Sequence, residues 1–242
     1  MKVKNNNPFR MSLTMSGETA TIELSGVIGW DMSATEFCNK VDEAKAAGAS
    51  ELVVKINSVG GYCYDGLAMG DALKNCGMKT RGVVCGTAQS MASYLLQMCD
   101  VREANRTATI MFHQPSAGVR GTVDEIMVQA KYLCSMRDRM FEAMGARCGK
   151  SGAELSAECQ TMQMYNAEDA KSKGFLDVVT GEPSEKPDNA GDEMKLPEGV
   201  KMYGECNGVF DVAMYAEQDD EPEEKPEDTP APEDKPDEKP EP

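Results

Sequence analysis

The chain predicts an α/β fold built on a largely parallel sheet. Strand-like and helix-like runs alternate from residue 19 to residue 179, the spacing of β-α-β units joined by crossovers. The run at 51–57 is apolar almost without interruption, as a strand covered on both faces must be. At 242 residues the chain is long enough for one sizeable core with appendages.

Residues 13–15 and 19–24 read as short strands about Gly17. In the second, Thr21 and Glu23 alternate with Ile22 and Leu24, as in a half-exposed strand. Residues 26–30 read as a turn. Ser33-Ala34-Thr35-Glu36 is a capping box, and Phe37, Val41 and Ala44 mark one face of the helix it opens, which Gly48 ends. Residues 51–57 are a strand, and Asn57-Ser58-Val59-Gly60-Gly61 is the glycine turn after it. A helix at 65–76 stops at Gly77. A strand at 80–85 precedes Gly86-Thr87-Ala88-Gln89-Ser90-Met91-Ala92, a turn of small residues opening into the apolar run 92–98. Strand-like pieces at 101–104 and 107–112 lead to His113. Thr122-Val123-Asp124-Glu125 caps the longest helix, about 122–147. Ile126, Ala130, Leu133, Met140 and Met144 lie near one face, and Met127, Met136 and Phe141 outside it. So broad an apolar girth fits either burial in its own domain or contact with another subunit. Ser151 opens a shorter helix, residues 166–173 form one closed by Gly174, and 175–179 is the last strand.

These elements divide the chain into a flexible segment at 1–18, a folded domain at 19–180, a linker with a small hairpin at 181–216, and a tail at 217–242. The formal net charge is −16, of which the tail carries −10 and everything before it −6. A Glu/Pro/Lys segment of that kind cannot bury enough surface to fold. The remainder is only mildly acidic and gives no support to nucleic-acid binding. Nine cysteines without a C-x-x-C pair fit a reduced compartment, not a disulfide framework. One histidine and scattered thiols argue against a zinc site. No apolar run reaches transmembrane length, and the first residues lack the apolar core of a signal peptide. The expected location is the cytoplasm, without membrane contact.

The chemistry gathers between Cys85 and Pro115. A strand ending in a tight turn before a helix can place Ser90 at the helix N-terminus. There, unbonded backbone N–H groups and the dipole favour a developing negative charge, and Met91 N–H is a natural oxyanion donor. Donors of this kind are worth about 3–4 kcal/mol each in acyl transfer. Gly60-Gly61 has no side chains to keep a substrate away from its backbone. His113 is the only histidine, so serine chemistry through an imidazole base can use no other. Taken singly, each feature has a plainer explanation: a helix cap for Ser90, a turn for Gly60-Gly61, a loop residue for His113.

Together, in this order, they resemble the ClpP family of Clp protease proteolytic subunits over residues 19–179. Asn57-Ser58-Val59-Gly60-Gly61 resembles the family's Asn-Ser-Pro-Gly-Gly turn. Gly86-Thr87-Ala88-Gln89-Ser90-Met91 resembles its Gly-x-Ala-x-Ser-Met, and Met111-Phe112-His113-Gln114-Pro115 its Met-x-His-x-Pro. Ala167-Glu168-Asp169-Ala170, Gly174 and Asp177 look like its closing helix and strand. The resemblance implies a ClpP/crotonase-like fold of repeated β-β-α units with a long handle helix from Thr122 that joins two rings. It implies Ser90 as nucleophile, His113 as base, and Gly61 and Met91 as oxyanion donors, with no metal or organic cofactor. It also implies homo-oligomeric rings, a protein or peptide substrate, and an ATP-dependent unfoldase as a feeding partner. Ile28-Gly29-Trp30-Asp31 before the Phe37 helix looks like the phage head maturation branch, whose substrates are capsid or scaffold proteins in the host cytoplasm. Two positions depart from the family. Val59 replaces a proline, and the triad aspartate falls at Met162, which cannot accept the His113 Nδ1 proton. Three outcomes stay open: a substitute among Glu158, Gln160, Gln163 and Asn166, a slow Ser-His dyad, or a silent structural subunit. An acyl-CoA enzyme on the same fold would leave the Ser90 and His113 pair unexplained.

Overall fold

A computed structural model describes residues 11–181. Residues 1–10, nearly all of the expected linker at 181–216 and the tail at 217–242 lie outside the described residues. Strand β1 (Ser12–Ser16), inside the segment expected to be flexible, pairs antiparallel with β2 (Thr19–Ile28) across Gly17. Gly17 has φ 60°, the left-handed conformation that only glycine adopts without strain.

The other strands are β3 (Glu51–Gly61), β4 (Lys79–Gln89), β5 (Val101–Asn105), β6 (Thr109–Phe112), β7 (Gln163–Asn166) and β8 (Val178–Thr180). The sheet runs β1-β2-β3-β4-β5-β8, parallel from β2 to β8. β4 is shared. Its first half pairs with β5 through Arg81–Val84, and its end pairs with β6 through Thr87–Gln89. β7 then adds antiparallel to β6. This is the mixed α/β architecture expected of the ClpP fold.

Helices α1 (Ala34–Ala46), α2 (Cys63–Asn75) and α3 (Met91–Met98) follow β2, β3 and β4. Ser33 caps α1 by accepting from Glu36 N–H, and Phe37, Val41 and Ala44 are its buried face. Burying Phe37 and Val41 contributes about 1.5–3 kcal/mol each. All eight residues of α3 are buried, so this helix is core on every side. Thr122 and Glu125 close a full capping box at the start of α4 (Val123–Cys148), and Ser151 and Glu154 do the same for α5 (Gly152–Glu158). Asn166 caps α6 (Ala167–Ser172). Among the described residues no helix is long and apolar enough to cross a membrane.

Of three expected turns, two are strand and the third is strand as far as Ile28, with its turn at Gly29 and Trp30. Residues 26–30 were expected to turn, but β2 continues to Ile28, with its register against β3 shifting between Ser25 and Val27. The glycine turn at 57–61 is the paired end of β3, and residues 86–89 are the paired end of β4. The turn after β4 is Ser90 alone. α4 answers both expectations in part. Met136, Met140, Phe141 and Met144 are buried in the domain, whereas Val123, Met127, Val128 and Tyr132 of its first half are exposed. Ala130, expected on the buried face, is exposed as well.

One buried cation fastens the last elements to the sheet. Arg102, on β5, is 5% exposed. Its guanidinium grips both carboxylate oxygens of Asp177, at 2.6 and 3.1 Å. It also donates to Gln97 Oε1 and to the carbonyls of Arg147 and Gly174. These bonds hold the Asp177 carboxyl below its ordinary range.

Candidate active site

Ser90 joins β4 to α3 with φ 53° and ψ −119°, the one non-glycine residue of positive φ among the described residues. Such a conformation costs about 1–3 kcal/mol and persists only where its surroundings over-determine it. Here they do. Ser90 N–H donates to Met111 O at 2.9 Å, and Tyr94 N–H to Ser90 O at 3.1 Å. The buried Ser93 hydroxyl lies 2.8 Å from Ser90 O and 2.5 Å from Met111 O, so it ties the serine turn to the strand that leads to His113. Sequence reasoning missed Ser93, because a serine inside an apolar helix carries no motif.

Ser90 occupies the cap position of α3, but its side chain makes no cap hydrogen bond. Its Oγ lies 2.7 Å from His113 Nε2. The pairing of β4 with β6 explains this meeting. Gln89 is opposite Met111, so Ser90 and His113 both follow the ends of neighbouring parallel strands, where open α/β sheets place their sites. Burial pushes the His113 imidazole below its ordinary pKa. The ring is therefore neutral near pH 7. With its proton on Nδ1, Nε2 accepts the Ser90 O–H.

Gly60 packs against this turn. A Cβ there would lie 2.6 Å from Gln89 O, 2.8 Å from Ser90 Cβ and 2.9 Å from Met91 N. Only glycine lets β3 come this close. Ser58 shapes the approach, donating to Gly26 O at 2.6 Å and accepting from Gly60 N–H at 3.1 Å. Gly61 follows at the strand end, opposite Ile28. Met91 opens α3, and as the first helical amide it has no intrahelical carbonyl to bond. A small cavity of about 20 Å³ lies against Ser90 and His113, walled by Cys63, Met91, Phe112, Met140, Phe141 and Met144. Cys63 is a second nucleophile there, but burial raises its thiol pKa and keeps it protonated. A serine hydroxyl on a neutral imidazole, beside helix amides and an apolar hollow, has the parts that acyl transfer needs.

The sequence model of the Clp protease family matches residues 13–183, nearly all of the described fold. The chain belongs to the Clp protease family. Among its relatives is the ATP-dependent Clp protease proteolytic subunit 3 of Rhodococcus jostii (strain RHA1). It is 32% identical over 164 residues, covering 66% of this chain and 80% of that protein. The proteolytic subunit 1 of Corynebacterium jeikeium (strain K411) is 32% identical over 154 residues, 62% of this chain and 81% of that protein.

A Clp protease fold raises the question of what orients the histidine. None of the four expected substitutes hydrogen-bonds to it. The Glu158 carboxylate is bound by Lys150 Nζ at 2.6 and 2.7 Å. The Gln163 amide nitrogen donates to Glu158 O and Thr161 O, and its carbonyl accepts from Tyr165 Oη. Asn166 Oδ1 caps α6, and its Nδ2 donates to Asp169 Oδ2. Gln160 is exposed. Among the described residues, the only side-chain hydrogen bond to His113 comes from Ser90.

Proposed function

We propose that this chain is a ClpP-like serine endopeptidase working through an acyl-enzyme. Ser90 Oγ attacks the scissile carbonyl and His113 Nε2 takes its proton. The N–H groups of Gly61 and Met91 hold the oxyanion. His113 returns the proton to the leaving amine, and water releases the acyl group by the same route in reverse. The observation that carries this is the 2.7 Å contact between a conformationally strained Ser90 and a neutral His113.

The relatives' names extend the proposal to the proteolytic subunit of an ATP-dependent protease, and membership of the family adds homo-oligomeric rings around an enclosed chamber, protein substrates and an ATP-driven unfoldase as partner. The Ile28-Gly29-Trp30-Asp31 segment supports the narrower role of a phage head maturation protease that cuts capsid or scaffold protein. Met162 favours a second reading, a silent ClpP-like subunit of a ring or prohead.

Intact-mass detection of a fluorophosphonate adduct tests the choice. The expected result is one adduct on the assembled wild-type protein and none on Ser90→Ala or His113→Ala. An adduct that survives Ser90→Ala overturns the nucleophile. No adduct on assembled wild-type protein selects the silent subunit.

A further inference from the structure

The register between β6 and β7 ends one residue before His113 and points to the residue beside it. Met111 is opposite Met164 and Phe112 is opposite Gln163. The ladder ends there, and the same register carried one residue past both strand ends would set His113 opposite Met162. Residues directly opposite on antiparallel strands point to the same face, with Cβ atoms about 4.5–5.5 Å apart. Met162 is 42% exposed and its neighbour on that face, Met164, 56% exposed. This edge of the site is therefore a thioether surface open to solvent. The groups that line the hollow beside the imidazole carry no charge: Cys63, Tyr94, Phe112, Met140, Phe141 and Met144. The carboxylate nearest to Met162 in the sequence, Glu158, is held by Lys150.

The geometry points to a Ser90–His113 dyad with no carboxylate partner among the described residues, in which Met162 occupies the place of the orienting carboxylate. This rests on the serine-peptidase reading above and specifies how that site is tuned. During acylation the Ser90 O–H bond breaks, its proton moves to Nε2, and the Oγ–C bond forms. The resulting imidazolium keeps its Nδ1 proton, which faces a weak sulfur acceptor and water instead of an anion. The Nε2 proton then passes to the leaving amine as the C–N bond breaks. Loss of the acid in the trypsin-type template lowers kcat by about 10⁴, so this enzyme turns over slowly. The hydrogen bond from Ser90 and the packing around the ring do the orienting.

The test uses the full chain, with His113 labelled by ¹³C at Cε1. As the only histidine, it gives a single titration curve by NMR. Met162→Asp is expected to raise its midpoint by about a pH unit or more, the effect of an opposite charge within contact range. Met162→Leu is expected to leave the midpoint at the wild-type value. The rate of Ser90 fluorophosphonate labelling should rise at least about tenfold in Met162→Asp, well inside the limit set by the template. A midpoint unmoved in Met162→Asp, or moved equally in Met162→Leu, overturns the placement of Met162. A raised midpoint with unchanged labelling overturns the claim that the missing acid limits the enzyme. A raised midpoint with no labelling in either protein upholds the placement and overturns the serine-peptidase reading instead.

Discussion

Gly60 is where the sheet and the serine turn come closest, and the site depends on its lack of a side chain. Its φ of 96° and the 2.6–2.9 Å approaches that a Cβ would make leave no room for alanine. Gly60→Ala is expected to destabilise the fold by about 1–3 kcal/mol and to slow Ser90 labelling by at least about 100-fold. Thermal unfolding and labelling rate check the two parts separately. His113 gives a prediction in pH. Its folded pKa is depressed by burial, so the neutral base persists below the ordinary histidine value of about 6.5. The acid limb of kcat/KM should have its midpoint below that value, with activity lost as pH falls through it. The stability linked to His113 has the same sign. It is fully present above the unfolded-state pKa and is lost as pH falls toward the folded-state value. A midpoint at or above 6.5 would contradict the burial argument.

At the scale of elements, the sequence located Ser90, His113 and the glycine pair because each ends a strand with strong apolar patterning. It misplaced the strand ends. Glycine-rich stretches read as turns by local propensity, yet 57–61 and 86–89 are held extended by partners on neighbouring strands. β7 went unseen for the same reason. Gln163-Met164-Tyr165-Asn166 has little β-branched character, and only its pairing with β6 makes it a strand. Without β7 there was no register, so the position of Met162 could come only from family resemblance. α4 illustrates the limit of periodicity. Its apolar residues gave no sign that burial begins only at Met136, because the first half is just as apolar but faces solvent. If this half joins a second ring, Val128→Glu should leave the thermal midpoint within about 2 °C, since exposed substitutions change stability little. The mass measured by light scattering should fall to that of a smaller assembly. An unchanged mass would remove α4 from the interface.

At the scale of the whole molecule, the chemistry lies at one end of the sheet, between strands brought side by side by the shared pairing of β4. The Arg102 cluster belongs to the same scale, and it has a consequence in time. Chain synthesis runs from the N-terminus. A nascent polypeptide that has reached the end of α4 already contains Ser90 and His113, but it lacks the carboxylate that Arg102 grips. A buried guanidinium without its counter-ion is strongly destabilising. Asp177 ends that deficit only when it has been made. It lies near the end of the described fold, so the Arg102 cluster cannot be completed until nearly all of the described fold has been made. The order of synthesis thus makes this ion pair one of the last contacts of the described fold that can form.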